Sequence, residues 1–426
     1  MTRRLTLVPL IAATYFMVCG GPYGLEELIG KQGYSRALMI ILLTPLVWSL
    51  PTAMMVGELS AALPEDGGYY AWVRRACGPF WGFQEAWLSL TASIFDMAIY
   101  PTLFTLYLGR LLPEFAGGWR AAVAGVTMIA VCALWNIAGV RAVGWAAAAL
   151  TVALLLPFVI LVLMTAASPA APPAPPVASS GLLAGILVAM WNYMGWDNAS
   201  TIAGEVDRPQ RTYPLAMFGT VLAVAITYML PVIACQRAGL DPHGWDTGAW
   251  VQAGSAIGGP WLGRLVVLGG MVCAMGMFNA LIMSYSRLPV ALASDGFLPK
   301  VVGKRHPKTG APWVAVLLCA VAYAGCLGLG FDRLVELDVL LYGLSLLLEF
   351  VALIVLRVRE PSLPRPFKLP GGLAGAVIFA LLPMALLGIA LVEGRTEQVG
   401  SINALVLGFL LVAGGPVVYW IRRALT

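Results

Sequence analysis

Long runs of apolar residues recur along almost the whole chain, and they constrain its fold more than any other feature. Each run has the roughly 20 mainly apolar residues that a helix needs to cross a bilayer, and is too long for a barrel strand. The twelve runs are 7–30, 36–62, 80–112, 119–138, 142–166, 181–203, 214–236, 262–294, 312–330, 334–356, 373–392 and 401–421. The pattern predicts an all-α integral membrane protein with 12 transmembrane helices.

The composition indicates that lipid is the solvent for most of the surface. Of the 426 residues, 60% are hydrophobic and 11% are charged, whereas a soluble domain has roughly 25% charged residues. The two histidines lie in connecting segments, and the seven cysteines are scattered without metal-ligand spacing. We therefore expect a single integral domain over residues 1–426 that contacts the lipid bilayer and binds no nucleic acid, metal or cofactor.

The distribution of Lys and Arg predicts the orientation of the chain. With the N-terminus placed inside and the turns assigned alternately, the inner turns carry about twice as many basic residues as the outer ones. Cytoplasmic loops of membrane proteins show this excess. We expect a multi-pass protein of the cell (inner or plasma) membrane, with the N- and C-termini cytoplasmic.

Two predicted helices contain segments that interrupt helical hydrogen bonding. The segment Cys19–Gly24 (CGGPYG) holds three glycines and a proline within six residues, which a continuous helix does not tolerate. Trp191–Asn198 (WNYMGWDN) brings polar and aromatic side chains to membrane depth. The two segments occupy corresponding places in spans one to five and six to ten, as in inverted-repeat transporters with a midplane site. The alternative is that the glycines allow close helix packing.

Several motifs resemble those of one transporter superfamily. Pro64–Val73 (PEDGGYYAWV) is similar to the end of span two in the amino acid–polyamine–organocation (APC) superfamily. Further motifs resemble those of one branch of this superfamily, and they are Gly78–Gln84 (GPFWGFQ), Asp96–Pro101 (DMAIYP), Trp196–Val206 (WDNASTIAGEV), Leu340–Tyr342, Leu348–Phe350 and Arg365–Lys368 (RPFK). Together they resemble the polyamine uptake transporters of plants and protozoa, which are close to the L-type amino acid transporters.

The resemblance implies a leucine-transporter-type fold with helices 1 and 6 broken. Its first five-helix repeat would be 7–166, its inverted second repeat 181–356, and its two additional peripheral helices 373–421. It also implies alternating access and uptake coupled to a cation, H⁺ more than Na⁺. The segment Gly20–Pro22 departs from the Gly-small-Gly break of many amino acid carriers. Because proline has no N–H to bind a substrate carboxylate, the departure favours a substrate that lacks one.

Carboxylates within the spans are the main candidates for substrate binding, because intramembrane charges are costly and usually functional. Asp96 shares a helix face with Tyr100, Glu349 shares one with Tyr342, and Asp197 adjoins the second break. We expect the carboxylates to bind ammonium groups and the nearby rings to add cation–π attraction. The expected substrate-binding residues are Gly20, Gly21, Tyr23, Gly24, Asp96, Tyr100, Trp191, Asn192, Tyr193, Trp196, Asp197, Tyr342 and Glu349.

Ion or proton coupling is assigned to Glu26, Asp96, Ser284 and Ser286. Glu26 follows the first break, where it would either accept a proton or cap the second half-helix, and the sequence leaves both open. The two serines are assigned by family analogy to a cation near span one, although such hydroxyls often bond their own helix.

Glu85 is a further acidic residue in span three. It precedes Asp96 by eleven residues, which places both on one face of the helix. Because Arg74 and Arg75 lie near the same end, we expect Glu85 to be structural and paired with one of them.

The expected function is proton-coupled import of cationic amines, most of all polyamines such as putrescine or spermidine, by a secondary active transporter. Transport of neutral or cationic amino acids, by symport or exchange, is the alternative. A channel would need a continuous polar stripe, whereas the polar residues here cluster near the midplane. An enzyme would need a nucleophile–base or metal constellation, and the sequence has no membrane-depth histidine or Cys/His cluster. We therefore expect no enzymatic activity.

Overall fold

A computed structural model describes residues 5–65, 67–177, 185–327, 331–393, 398–399 and 402–425. The α-helices are α1 (Leu7–Val18), α2 (Glu26–Thr44), α3 (Leu50–Ala62), α4 (Tyr69–Cys77), α5 (Pro79–Leu111), α6 (Gly118–Ile137), α7 (Val140–Ala167), α8 (Ile186–Asn192), α9 (Pro209–Arg237), α10 (Trp250–Gly258), α11 (Pro260–Tyr285), α12 (Arg287–Ser294), α13 (Trp313–Ala324), α14 (Phe331–Arg359), α15 (Gly372–Glu393) and α16 (Ala404–Leu425). Short 3₁₀ segments cover Pro113–Phe115, Asp197–Glu205 and Lys300–Gly303, and a π-helical turn covers Pro45–Ser49. Two-residue strands, Gln398–Val399 and Ile402–Asn403, pair antiparallel before α16.

Both predicted interruptions are confirmed. The first lies between the end of α1 at Val18 and the start of α2 at Glu26, where Gly21 and Gly24 have φ of 71° and 93°. The second separates α8 from the 3₁₀ segment Asp197–Glu205, with Gly195 at φ 90°. Glycine suits these left-handed turns because it lacks a Cβ.

Some predicted boundaries differ from the structure. The turn between the first two predicted spans is a single kink at Gly33, with φ 68°, inside α2. The predicted span 262–294 divides at Ser286 into α11 and α12. Arg3, Arg4, Asp66 and parts of the predicted segments around 166–180, 181–203, 312–330 and 401–421 lie outside the described residues.

The described helices have the length and surface of a membrane protein. Exposed apolar side chains such as Leu163, Leu222 and Val321 are 63%, 62% and 73% accessible, and a surface this apolar is stable in lipid rather than in water. Two shorter apolar helices are α1 and α13. Within the described ranges, eight helical stretches are long and apolar enough to cross a membrane: Glu26–Ala62, Gly118–Ile137, Ala149–Ala167, Pro209–Arg237, Pro260–Ser294, Leu337–Arg359, Gly372–Ile389 and Leu405–Ala424.

Helix α5 is central to the packing that forms the interior. It packs against α11 on one side and α14 on another, while α1 packs against α7, α9 and α11. The chain before α1 is fixed to the end of the second interrupted segment, because Leu5 bridges Val206 and its carbonyl accepts the Asp207 N–H at 2.8 Å. These contacts bring the two interruptions, α5, α11 and α14 around one interior space.

Candidate functional site

The two interruptions contact each other directly. Asn192 at the end of α8 donates its amide to the carbonyl of Gly24, with 3.3 Å between the two atoms. A Cβ on Gly24 would lie only 2.7 Å from the Trp191 ring, and a Cβ on Gly195 would collide with the Met17 carbonyl. Close packing and broken helices therefore occur together here, because glycine permits both.

A small cavity, with a volume of about 10 Å³, lies beside this junction. None of its described lining residues is basic. The lining residues come from α1, α5, α8, the second interruption, α11 and α14, and they are Met17, Val18, Asp96, Tyr100, Trp191, Met194, Gly195, Asn198, Met277, Tyr285, Asp338 and Tyr342.

Three aspartates give the cavity its electrostatic character. Asp96 accepts hydrogen bonds from the hydroxyls of Tyr100 at 2.8 Å and Tyr285 at 3.1 Å. Asp338 lines the same cavity, and it is close enough to Asp96 and Asp197 for their charges to interact. All three carboxylates are buried. A cation entering the cavity would therefore meet several negative groups that neutral hydroxyls do not neutralise.

Tyr342 links the third aspartate to the second interruption. Its hydroxyl donates to the Asp197 carboxylate, and it accepts the Gly195 N–H at 3.0 Å. The same tyrosine lines the cavity. Asp197 therefore lies immediately behind the cavity wall, held by a residue of α14.

The predicted aromatic residues divide into two groups. Trp191 and Tyr342 line the cavity, and Trp191 also interacts with the Asp96 carboxylate. The structure places Tyr193 and Trp196 outside the lining. Tyr193 donates to the Ile41 carbonyl at 2.9 Å, and the Trp196 indole donates to the Tyr193 carbonyl at 2.8 Å. Trp191 and Tyr193 are only two residues apart, so their side chains point in different directions, and Trp196 follows the turn at Gly195.

The predicted residues of the first interruption lie behind the lining. A Cβ on Gly20 would meet Cys273 and Met277, and one on Gly21 would meet Leu154 at 3.1 Å. The Tyr23 hydroxyl donates to the Val266 carbonyl at 2.7 Å, and its ring packs edge-on against Tyr107. The residues that line the cavity from this part of the chain are Met17 and Val18, at the end of α1.

Glu26 is fully buried and already has three hydrogen-bond donors. Its carboxylate accepts the Gly24 N–H at 2.6 Å, the Tyr107 hydroxyl at 2.9 Å and the Gly248 N–H at 3.2 Å. A carboxylate on the free N–H groups before a helix is the geometry of an N-terminal cap. Of the two roles predicted for Glu26, the hydrogen bonds favour the cap.

The two serines have different surroundings. Ser284 donates to the Asn198 carbonyl at 3.1 Å and contacts the Asn198 side chain and Thr201, so it contacts the second interruption rather than the first. Ser286 bonds its own helix at the Met283 carbonyl, 3.3 Å away.

The expected ion pair of Glu85 is not formed. Arg74 pairs with Asp295, and Arg75 pairs with Glu360 at 2.7 Å. Glu85 instead accepts a hydrogen bond from Ser89, one turn later, at 3.0 Å. The arginines lie at the exposed end of α4, where surface carboxylates are within reach, whereas Glu85 is fully buried.

Eight residues of the cavity lining are absent from the predicted site: Met17, Val18, Met194, Gly195, Asn198, Met277, Tyr285 and Asp338. A signal for Asp338 exists, since it precedes Tyr342 by four residues and so shares its helix face. Asn198 closes the polar segment that marks the second break. Tyr285 and Met277 lie in an apolar run without a polar pattern, so the sequence does not indicate which face of α11 meets the cavity.

Packed side chains cover the cavity region toward both ends of α5. Near Tyr107, the Trp250 indole of α10 donates to the Pro22 carbonyl at 2.8 Å and packs on Phe158 and Trp245. Near Arg74, at the other end, Asp295 accepts hydrogen bonds from Tyr70 and Arg74.

Comparison with known proteins gives the family. Residues 11–412 match the family model described as amino acid permease. The polyamine transporter PUT1 of Oryza sativa subsp. japonica is 35% identical over 413 residues, which are 96% of this chain and 78% of that protein. The polyamine transporter RMV1 of Arabidopsis thaliana is 33% identical, covering 96% and 84% of the two chains. The serine/threonine exchanger SteT of Bacillus subtilis (strain 168) is 25% identical, covering 98% and 95%. The chain therefore belongs to the amino acid permease family, whose members are membrane transporters and not enzymes.

Proposed function

We propose that this protein is a secondary active transporter that imports cationic amines, with polyamines as its main substrates, by proton-coupled alternating access. The observation that carries the proposal is a small buried cavity with Asp96 and Asp338 in its wall, Asp197 directly behind it, and no basic residue among its described lining. Two relatives that are at least 33% identical are named as polyamine transporters. Buried carboxylates facing a cavity need a counter-charge, and an ammonium group would supply it.

The side chains around the carboxylates suit an alkyl ammonium ion. Trp191, Tyr100 and Tyr342 present ring surfaces or hydroxyls, and Met17, Met194 and Met277 present flexible apolar groups. Aromatic rings attract cations, and methionine adapts to irregular apolar shapes. A chain of methylene groups with a charged end would therefore be complemented at both its charged and its apolar parts.

The first interruption is poorly suited to a substrate carboxylate. Pro22 has no N–H, and the Gly24 N–H is bound by Glu26. The Gly21 N–H contacts the Cys19 sulfur at 3.3 Å. An incoming α-carboxylate would have to displace the protein's own carboxylate from the half-helix N-terminus. This arrangement supports substrates without a carboxylate.

The proposal includes a transporter architecture with 12 helices, a first repeat at 7–166, an inverted repeat at 181–356 and peripheral helices at 373–421. It also includes cytoplasmic N- and C-termini in the cell membrane. Interruptions at corresponding places of the two halves support the repeat. The excess of basic residues on one set of turns supports the orientation.

Proton coupling is proposed to act at the aspartates of the cavity. Several carboxylates in one place allow one of them to carry the proton while the others bind the ammonium group, so both cations can be carried inward together by Asp96, Asp197 and Asp338. Glu26 is removed from the cavity by its own hydrogen bonds, which makes it the weaker coupling candidate. Ser284, bonded to Asn198, would stabilise the second interruption rather than bind Na⁺.

Amino acid transport remains the second candidate function. It is favoured by the likeness to the serine/threonine exchanger SteT, which covers 98% of this chain. The cationic amino acid transporter 4 of Homo sapiens is also 26% identical over 82% of the chain. A cationic amino acid would place its side-chain ammonium at the aspartates and would need another site for its carboxylate.

Equilibrium binding of labelled putrescine to the purified protein in lipid nanodiscs tests the proposal. We expect saturable binding that unlabelled leucine does not displace. Asp96→Asn should weaken it by about 10-fold or more, because a hydrogen bond to a charged group contributes roughly 1.5–3 kcal/mol and 1.4 kcal/mol is a factor of ten. Displacement of putrescine by leucine at equal concentrations, or unchanged affinity in Asp96→Asn, would contradict the assignment.

A further inference from the structure

A second pair of carboxylates lies on the same two helices as the cavity pair. Glu85 precedes Asp96 by eleven residues on α5, and Glu349 follows Asp338 by eleven residues on α14. Asp338 interacts with Asp96, and Glu349 interacts with Glu85, so α5 and α14 run antiparallel side by side. Eleven residues correspond to about 16 Å along a helix. The protein thus has two layers of paired acids, with Asp197 close enough to interact with both.

The inner layer, which we define as Glu85, Glu349 and Tyr69, is buried, and the only hydrogen bond of its side chains among the described residues is the one from Ser89 to the Oε1 of Glu85. All three residues are fully inaccessible. Among the described residues, both carboxylate oxygens of Glu349, the Oε2 of Glu85 and the Tyr69 hydroxyl have no hydrogen bond. An unpaired buried polar group costs about 1–3 kcal/mol, and a charged group costs more. A protein retains such groups when a bound ion, proton or ligand supplies the missing partner.

The nearby arginines do not neutralise the inner layer. On α4, Arg74 is bound by Asp295 and Arg75 by Glu360. On α14, Arg357 forms an ion pair with Glu58, and Arg359 donates to the Ala76 carbonyl at 3.0 Å. These cations have partners at the end of the bundle, beyond the inner layer. The counter-charge for Glu85 and Glu349 must therefore come from a mobile cation or a proton.

The location of the inner layer favours a substrate cation. It lies between the cavity and the end of α5 where Asp295 binds Tyr70 and Arg74, which is the end predicted to be cytoplasmic. In the proposed orientation, an imported solute leaves the cavity toward this end of α5. The Tyr69 hydroxyl, which interacts electrostatically with Glu85, Glu349 and Asp197, adds a neutral oxygen ligand for an ammonium group.

We propose that the inner layer is a second ammonium-binding site on the release side of the cavity. This inference rests on the proposed amine transport and deepens it. A diamine would bind at the cavity layer alone, whereas a long polyamine would bind one terminal ammonium at the cavity aspartates and the other at Glu85 and Glu349. The spacing of the two layers is comparable with the length of an extended tetraamine. The inner site therefore makes the protein discriminate between amines by length.

The test compares equilibrium binding of labelled putrescine and labelled spermine to full-length protein in nanodiscs. We expect Glu349→Gln and Glu85→Gln to lower spermine affinity by about tenfold, the equivalent of one charged contact, and to leave putrescine affinity within about twofold. Tyr69→Phe, which removes one oxygen and conserves the ring, should lower spermine affinity by a smaller factor. Ser345→Ala, at a buried residue one turn before Glu349 that bonds the Tyr342 carbonyl, serves as the matched control on α14.

The outcomes separate this inference from the proposed function. Wild-type protein that binds putrescine, together with Glu349→Gln that binds spermine as wild type does, would overturn the inner site alone. Equal loss of putrescine and spermine affinity in Glu349→Gln would also overturn it, because that pattern indicates a structural role. Wild-type protein that binds neither amine would overturn the amine function and the inner site together.

Discussion

Among single residues, the acids Asp96 and Asp197 are hydrogen-bonded by tyrosine hydroxyls and not by cationic side chains. Tyr100 and Tyr285 donate to Asp96, and Tyr342 donates to Asp197. A hydroxyl satisfies a buried carboxylate without cancelling its charge. These two acids can therefore be paired inside the protein and still attract a cation when they are ionised.

Asp338 provides the sharpest residue-level prediction, because the sequence motifs do not include it. We expect Asp338→Asn to weaken putrescine binding by about tenfold, since one carboxylate facing the ammonium group loses its charge and 1.4 kcal/mol is a factor of ten. The measurement is a binding isotherm in nanodiscs. Asp241→Asn, in the exposed segment after α9, is the matched control and should bind as wild type does. Wild-type affinity in Asp338→Asn would remove this residue from the site.

Glu26 and its neighbour Glu27 allow a matched test of the capping role. Glu26→Gln replaces one acceptor oxygen by a donor that faces N–H groups, so the free energy of unfolding should fall by about 2 kcal/mol. Glu27 contacts Lys31 and Thr247 near the surface, and Glu27→Gln should change stability by less than about 1 kcal/mol. Denaturant unfolding in detergent gives both values. Unchanged stability of Glu26→Gln combined with loss of proton-driven uptake would instead assign Glu26 to coupling.

At the scale of elements, the sequence was informative about where helices break and less so about which faces meet. The interruptions at Cys19–Gly24 and Trp191–Asn198 follow from local chemistry, because glycine and proline disrupt a helix wherever they occur. The sequence predicts Tyr193 and Trp196 as substrate-binding residues, whereas the structure has both outside the cavity lining. Tyr193 is two residues from Trp191 and points in a different direction, and Trp196 follows the turn at Gly195. Helix rotation and tertiary packing are not encoded in a local motif.

Glu349 illustrates a second limit at this scale. It shares a face of α14 with Tyr342, as the heptad spacing predicts, yet only Tyr342 lines the cavity. Seven residues correspond to about 10 Å along the helix axis. Sequence periodicity gives the face of a helix, but the depth of a cavity along that face depends on neighbouring helices.

The connection between α3 and α14 depends on one buried ion pair. Glu58 accepts bonds from Arg357 and from the Leu369 N–H, and Arg365 lies 3.3 Å away. Glu58→Gln leaves two buried guanidinium groups without a counter-charge, so we expect the free energy of unfolding to fall by about 3–5 kcal/mol. Glu360→Gln breaks the exposed pair with Arg75 and should cost less than about 1 kcal/mol. Thermal or denaturant unfolding of the two variants gives both changes in the free energy of unfolding. Equal decreases in the two variants would contradict a larger contribution from the buried pair.

At the scale of the whole molecule, the described helices enclose a cavity that side chains cover toward both ends of α5. Transport by alternating access would open the cluster of Trp250 and Pro22 in one state and the cluster of Asp295, Tyr70 and Arg74 in the other. The membrane class and the family could be recognised from apolar runs and ordered motifs, because those depend on length and composition. The side-chain clusters at the two ends of the cavity region could not be predicted from the sequence, because they join residues that are far apart in the chain.

Uptake into proteoliposomes under an imposed inward proton gradient tests proton-driven amine import, with labelled putrescine, arginine and leucine compared in parallel. We expect saturable putrescine uptake that a protonophore abolishes, with little uptake of leucine. Leucine or arginine uptake with putrescine ignored would contradict it and would assign the cavity to amino acids.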